Sequence, residues 1–241
     1  MFLIFQLKAP LSSFGSSVGE MRLSDKQPRK SAVTGLLAAA LGIRREQTEA
    51  FQRLASSLHM AVCVLKEPLK LLDFHTVQSP VNREADSRAE QIAELEVKQR
   101  SKGGYSGTIV TRREYLQDGH WLVAVPGDAS TLHDLAEALS FPAFTLYLGR
   151  KSCALSAYTA PLLIDTEFAE DALRQWAQRT GATLPREAAL YWDGRVACKA
   201  SPLAKIRKSD VRTRLTHNHF DLRDVFEGTA LFEDVPCTSL N

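Results

Sequence analysis

Two apolar runs, Phe2–Leu7 and His59–Lys66, bracket one amphipathic stretch at Ser31–Leu41, and that arrangement confines the chain to helix packed on sheet. Each run is short, apolar throughout and reads as a buried strand. Between them Val33, Leu36, Leu37, Ala40 and Leu41 recur at i, i+3, i+4, i+7 and i+8, which is one buried face of an α-helix. Ser31 is placed as its N-cap and Gly42 as its stop. Strand, helix, strand is the opening of a β-α-β unit.

A Glu67-Pro68 break leads into a further strand at Leu69–His75. Asp118-Gly119, between Arg112–Gln117 and His120–Val125, predicts a hairpin, because both residues tolerate the positive φ of a tight turn. Asp128–Ser140 carries Leu132, Leu135, Ala136 and Leu139 on one side and reads as a second helix, with another strand at Phe144–Leu148. This order predicts an α+β, ferredoxin-like layer with its helices on one sheet face. Beyond it come a helix at Glu167–Arg179, burying Phe168, Ala172, Leu173 and Trp176, and a hairpin. That hairpin is expected to run from Leu190–Trp192 to Val196–Lys199, turning at Asp193-Gly194.

With 241 residues, 44% hydrophobic and 24% charged, the chain is long enough to bury the core of one or two domains. No apolar run approaches the roughly 20 residues of a bilayer span. The start, MFLIFQLKAP, lacks a basic leader region, so a first strand is expected there and not a signal peptide. Cys63, Cys153, Cys198 and Cys237 are scattered without a CxxC pair. Neither a zinc site nor a disulfide framework is expected, and the reduced cytoplasm is the natural setting. There is no P-loop or dinucleotide glycine pattern, and no cofactor is expected.

Net charge is only +2, yet its distribution is uneven. Lys98, Arg100, Lys102, Arg112 and Arg113 form one basic group, and Arg195, Lys199, Lys205, Arg207, Lys208, Arg212 and Arg214 another. Acids collect near the end, at Asp221, Asp224, Glu227, Glu233 and Asp234. Such segregation predicts an anion-facing surface, although solvated faces show it too.

The sharpest local signal is FPAFTLYLGRKSCAL at Phe141–Leu155. A Gly149-Arg150-Lys151-Ser152 turn gathers backbone N–H groups, two cations and a hydroxyl, which suits a phosphate, and Tyr147 offers a base a stacking face. Arg29 and Lys30 stand before the helix at Ser31, where the helix dipole favours anions. Either they help to hold an anion at that end or they are ordinary surface cations. The polar insertion from about 79 to 107 carries Arg83, Arg88, Lys98, Arg100 and Lys102. A connection of this length is usually functional or mobile, although Ala85–Val97, with its glutamates, also reads as an exposed helix.

Two constellations resemble active sites. His75 in DFHTVQ, with Lys30, Arg113 or Tyr105, has the residue types of a metal-independent ribonuclease but no diagnostic spacing. His217-Asn218-His219 is too contiguous for an HNH nuclease and reads as loop histidines.

Five segments, in order, resemble the fifth Cas family of CRISPR-associated proteins, in the type I-E branch that builds the Cascade surveillance complex. They are Leu7-Lys8-Ala9-Pro10 with Phe14-Gly15, PRKSAVTGLLAAALGI at Pro28–Ile43, DFHTVQ at Asp73–Gln78, RREYLQD at Arg112–Asp118, and FTLYLGRKSCAL at Phe144–Leu155. The resemblance covers about residues 1–155. It implies an RNA-recognition-motif domain there, with the insertion at 79–107 forming a protruding basic hairpin, and a variable C-terminal α+β part over 156–241. It implies a non-catalytic subunit that caps the 5′ handle of CRISPR guide RNA. Such a subunit meets the large subunit and a backbone subunit, reaches target DNA only indirectly, and has no membrane partner. A related member in another branch cleaves precursor RNA, and that supplies the rival reading.

The expected RNA contacts are Arg22, Arg29, Lys30, Ser31, His75, Arg100, Lys102, Arg112, Arg113, Tyr147, Gly149, Arg150 and Lys151. Neutralising about six phosphates of a single strand predicts a salt slope of roughly −4.

Overall fold

The computed structural model describes residues 1–15, 21–78, 108–212 and 220–232. The insertion with Arg100, Lys102 and Tyr105, and the His217–His219 run, lie outside those residues. In chain order the elements are β1 (Phe2–Lys8), β2 (Leu11–Ser12), β3 (Met21–Arg22), α1 (Lys30–Ala40), α2 (Thr48–Ser57), β4 (Ala61–Lys66), β5 (Leu69–Gln78) and β6 (Thr108–Gln117). There follow β7 (His120–Pro126), α3 (Ala129–Ser140), β8 (Leu162–Ile164), α4 (Ala169–Thr180), β9 (Glu187–Asp193), β10 (Ala204–Arg212) and β11 (Phe220–Leu231). The fold is mixed α/β, built on an antiparallel sheet.

Two units are distinct. The larger comprises Met1–Phe14, Asp25–Leu69 and Leu116–Asn241, and the smaller Gly15–Ser24 with Lys70–Tyr115.

In the larger unit seven strands run in the order β10-β11-β9-β4-β7-β1-β8. The central strands β4, β7 and β1 are apolar along most of their length, with polar residues toward one end (Gln6 and Lys8, Lys66, His120), because both of their faces are covered. Phe2, Ile4, Ala61, Cys63, Leu122 and Ala124 pack with Ala172, Leu173 and Trp176 of α4. Leu7, from the alternate set, lines a small cavity with Val33 and Leu36 of α1, and α1 packs on α3. α1 and α3 therefore share one face of the sheet, and α4, from the C-terminal part, covers the other. Each buried aliphatic or aromatic side chain here contributes about 1.5–3 kcal/mol.

Several local expectations are corrected. The turn at Asp118-Gly119 exists, with Asp118 at φ +53°, and Gly119 is required because a Cβ would lie 2.1 Å from the Trp121 ring. The flanking strands do not form a hairpin. β7 pairs with β1 and β4, while the end of β6 pairs with β2, Leu11 opposite Gln117. Residues 144–148 form no strand; only an isolated bridge joins Tyr147 to Ala154. The start of the segment serves α1 instead, since Ala143 N–H donates to Ala40 O at 2.9 Å and Phe144 N–H to Ala39 O at 3.2 Å. Carbonyls left over at a helix end need such donors. After β9 the chain turns at Gly194 without returning as a strand, and β9 pairs with β4 and β11.

In the smaller unit β6 pairs with β5 and runs parallel to β3. Among the described residues no helix is long and apolar enough to cross a membrane.

Candidate nucleic-acid interface

The start of α1 shows what the basic pair before it does. Arg29, with ψ 154°, is the N-cap residue and its side chain makes no cap bond. Ser31 sits inside the first turn and is not the cap. The anion at this helix end belongs to the chain itself: Lys30 N–H donates to Asp210 Oδ2 at 2.9 Å. Asp210 is fully buried and accepts two further bonds from Arg223, Nε to Oδ1 at 2.6 Å and Nη2 to Oδ2 at 3.0 Å. Arg223 also pairs with Asp193, whose Oδ2 accepts from Met60 N–H at 3.0 Å. A buried ion network of this kind stands only because each charge is paired and hydrogen-bonded.

Lys30 is buried beside this network, and Arg29 is held by neighbouring groups of the chain. Lys30 is 6% exposed. Burial holds its ammonium below the ordinary lysine range, and Arg223 adds to that, against the pull of Asp193 and Asp210. Arg29 Nη2 donates to Ser209 O at 2.7 Å, and its Nε lies 3.5 Å from Asp25. The basic stretch of β10 is likewise matched internally. Lys205 and Arg207 lie 2.9 and 3.6 Å from Asp224, and Lys208 lies 3.3 Å from Asp25. Charges segregated along the sequence thus meet across the β10–β11 ladder.

The second expected cluster is built differently. Gly149 has φ +89°, and a Cβ there would lie 1.7 Å from Ser13 O, so only glycine fits. Leu148 O accepts from Ser13 N–H at 3.0 Å, and Leu148 N–H donates to Cys153 O at 2.8 Å. These bonds fix the turn that carries Arg150 and Lys151. Lys151 is exposed and Arg150 half-buried. Tyr147, 42% exposed, stands beside them.

Between this turn and α1 runs a groove of about 200 Å³, lined by Ser31, Gly35, Ala39, Thr145, Tyr147 and Arg212 among others. Ser31, Gly35 and Ala39 recur every four residues and make the flank of α1 a shallow floor. That spacing was a signal available in the sequence. In the sequence Arg212 is one residue of a basic stretch; β10 brings it to the groove.

In the smaller unit, Arg22 on β3 stands opposite Arg113 on β6, and Met21 opposite Arg112. Arg22 and Arg112 are exposed. Glu114 anchors this strand: Lys70 Nζ lies 2.8 Å from its Oε1, and Ser24 N–H donates to Oε2 at 2.8 Å. Although burial acts to raise the Glu114 pKa, these bonds bring it below the ordinary value. His75 on β5 pairs through Nε2 with Oδ2 of Asp73.

Residues 2–225 match the family model described as CRISPR-associated protein (Cas_Cas5). Over 182 residues the chain is 33% identical to "CRISPR system Cascade subunit CasD" of Escherichia coli (strain K12), covering 70% of this chain and 73% of that protein. A solved chain titled "CRISPR RNA-guided surveillance complex" aligns with a TM-score of 0.67 at 21% identity, over 96% of this chain and 90% of the other. Another, "Crystal structure of Cas protein", gives 0.63 at 26% identity, over 96% and 95%.

Proposed function

The chain belongs to the Cas5 family of CRISPR-associated proteins, and we propose that it serves as the non-catalytic, RNA-binding subunit of a Cascade-type surveillance complex, holding the 5′ handle of the guide RNA. The strands β4-β7-β1-β8, with their crossover helices, are read as the RNA-recognition-motif layer. The observation that carries the reading is the groove between α1 and the Gly149 turn. A flank of small side chains admits a nucleic-acid strand closely, Tyr147 gives one base a stacking face, and Arg150, Lys151 and Arg212 stand where its phosphates would pass. Arg22, Arg112 and Arg113 supply a second anion-binding patch. Arg29 and Lys30 are assigned to shaping the site and not to touching RNA.

In this reading a backbone subunit and the large subunit are its protein partners, target DNA is met only through the assembled complex, and the setting is the cytoplasm. One observation favours the rival: Asp73 orients the His75 imidazole, as a carboxylate orients a general base.

The test is binding of repeat-derived RNA by the purified chain and by Tyr147→Ala. The reading expects the variant to lose about 1–3 kcal/mol of affinity; equal affinity would remove Tyr147 from the interface.

A further inference from the structure

α1 carries a glycine that its own fold does not use. Gly35 lies at the centre of the helix and is the only one of its residues that is exposed. Glycine in a helix interior is less stable than alanine there, because it gives up more backbone freedom on folding. A fold keeps such a residue where φ is positive or where a neighbour would strike a Cβ. Gly149 meets both conditions. Gly35 meets neither: its backbone is helical, and a Cβ built on it finds no atom within 4 Å among the described residues.

The open space over Gly35 is the groove beside the Gly149 turn. A missing side chain there lets an occupant reach the helix backbone itself. One turn earlier on the same flank stands Ser31, whose hydroxyl makes no hydrogen bond among the described residues. Thr145 and Tyr147 line the groove from the segment beside α1, and among the described residues no carboxylate does. The floor is thus bare and uncharged at Gly35 and hydroxylated beside it, while the cations stand apart at Arg150, Lys151 and Arg212. That division suits the sugar of a nucleotide over the helix and its phosphates at the cations.

We propose that a ribose of the bound strand packs directly on the α1 backbone at Gly35, with its 2′-hydroxyl toward Ser31 Oγ, so that the groove selects RNA over DNA. The 2′-hydroxyl both donates and accepts, and it is the group that tells the two nucleic acids apart. This rests on the RNA-holding reading above and adds to it the point of closest approach and the part of the nucleotide that makes it.

Gly35→Ala separates occupancy from folding. The added Cβ fits the folded chain and favours the helix, so the urea midpoint is expected to rise. The same Cβ intrudes on the sugar, and affinity of the full chain for fluorescein-labelled repeat-derived RNA, read by anisotropy, is expected to fall about tenfold. DNA of the same sequence is expected to bind the unsubstituted chain about tenfold more weakly than RNA, and Ser31→Ala to narrow that gap to under about threefold. Unchanged RNA affinity in Gly35→Ala overturns the proposal, and so does a lowered urea midpoint, because the fold itself would then require the glycine. Equal affinity for RNA and DNA, or a gap that Ser31→Ala leaves untouched, overturns it as well. So does a dimer in sedimentation that Gly35→Ala dissociates, because the bare flank would then seat a second copy. Tyr147→Ala tells the two failures apart: if it weakens binding and Gly35→Ala does not, the groove holds RNA without this contact, and if neither does, RNA binds elsewhere and both readings fall.

Discussion

Lys30 N–H donates to Asp210 Oδ2 at 2.9 Å, across 180 residues of sequence. Through this bond β10 supplies the anion that the start of α1 attracts, and Arg223 holds that anion in place. The helix whose flank floors the groove is thereby tied to the strand that brings Arg212 to it.

Asp210→Ala removes the helix-end acceptor and leaves Arg223 buried beside Asp193 alone. The variant is expected to lose about 3–5 kcal/mol of stability, read as a lower urea midpoint at unchanged m-value. A loss under about 1 kcal/mol would show that the network is not a structural anchor.

Lys30 and the Gly149 turn are predicted to separate in salt dependence. Arg150→Ala with Lys151→Ala should flatten a slope of roughly −4 by about 1.4, at about 0.7 for each phosphate contact on single-stranded RNA. Lys30→Ala should leave the slope unchanged and lower stability instead. Binding titrations from low to moderate salt check both; a flattened slope in Lys30→Ala would put that ammonium on the RNA.

Gly149→Ala is expected to destabilise the chain by more than about 1 kcal/mol, because it combines a φ of +89° with a contact on Ser13 O. It should also weaken RNA binding by displacing Arg150 and Lys151. Thermal unfolding beside the binding assay measures both losses in one preparation.

Some of this architecture was legible in the sequence. The α1 pattern, the apolar runs of β1, β4 and β7, and the Gly149 turn all rest on local periodicity or local chemistry. Residues 144–148 look like a strand because Phe144, Leu146, Tyr147 and Leu148 are apolar, yet only Leu146 and Leu148 are buried. The Phe144 amide goes to the end of α1 and the Leu148 amide to Cys153 O, demands no local pattern announces. β10 and β11 were hidden for the opposite reason. Their alternation is of charges, Lys205 and Arg207 against Asp224, which reads as a solvated stretch until the ladder aligns them. The role of Lys30 depended on Asp210, whose sequence distance leaves no local trace.

His120 predicts the shape of the acid limb. Burial, with Lys8 nearby, lowers its pKa from 6.5 to about 4, and its Nε2 lies 3.0 Å from Gln6 Oε1. Between those values the unfolded chain binds the extra proton, so this stability is fully present above pH 6.5 and is lost as pH falls through about 4. The contribution is on the order of 3 kcal/mol. His120→Gln should make stability fall less steeply over that window in urea titrations at stepped pH; an unchanged limb would show that His120 is not the group responsible.

The most direct test of the central claim is incubation of the purified chain with end-labelled repeat RNA in EDTA, with binding and cleavage read on one gel. The account predicts a shifted, intact RNA, with the shift reduced in the Tyr147→Ala/Arg150→Ala double variant. Specific cleavage that disappears in His75→Ala would contradict it and make the Asp73–His75 pair a catalytic base.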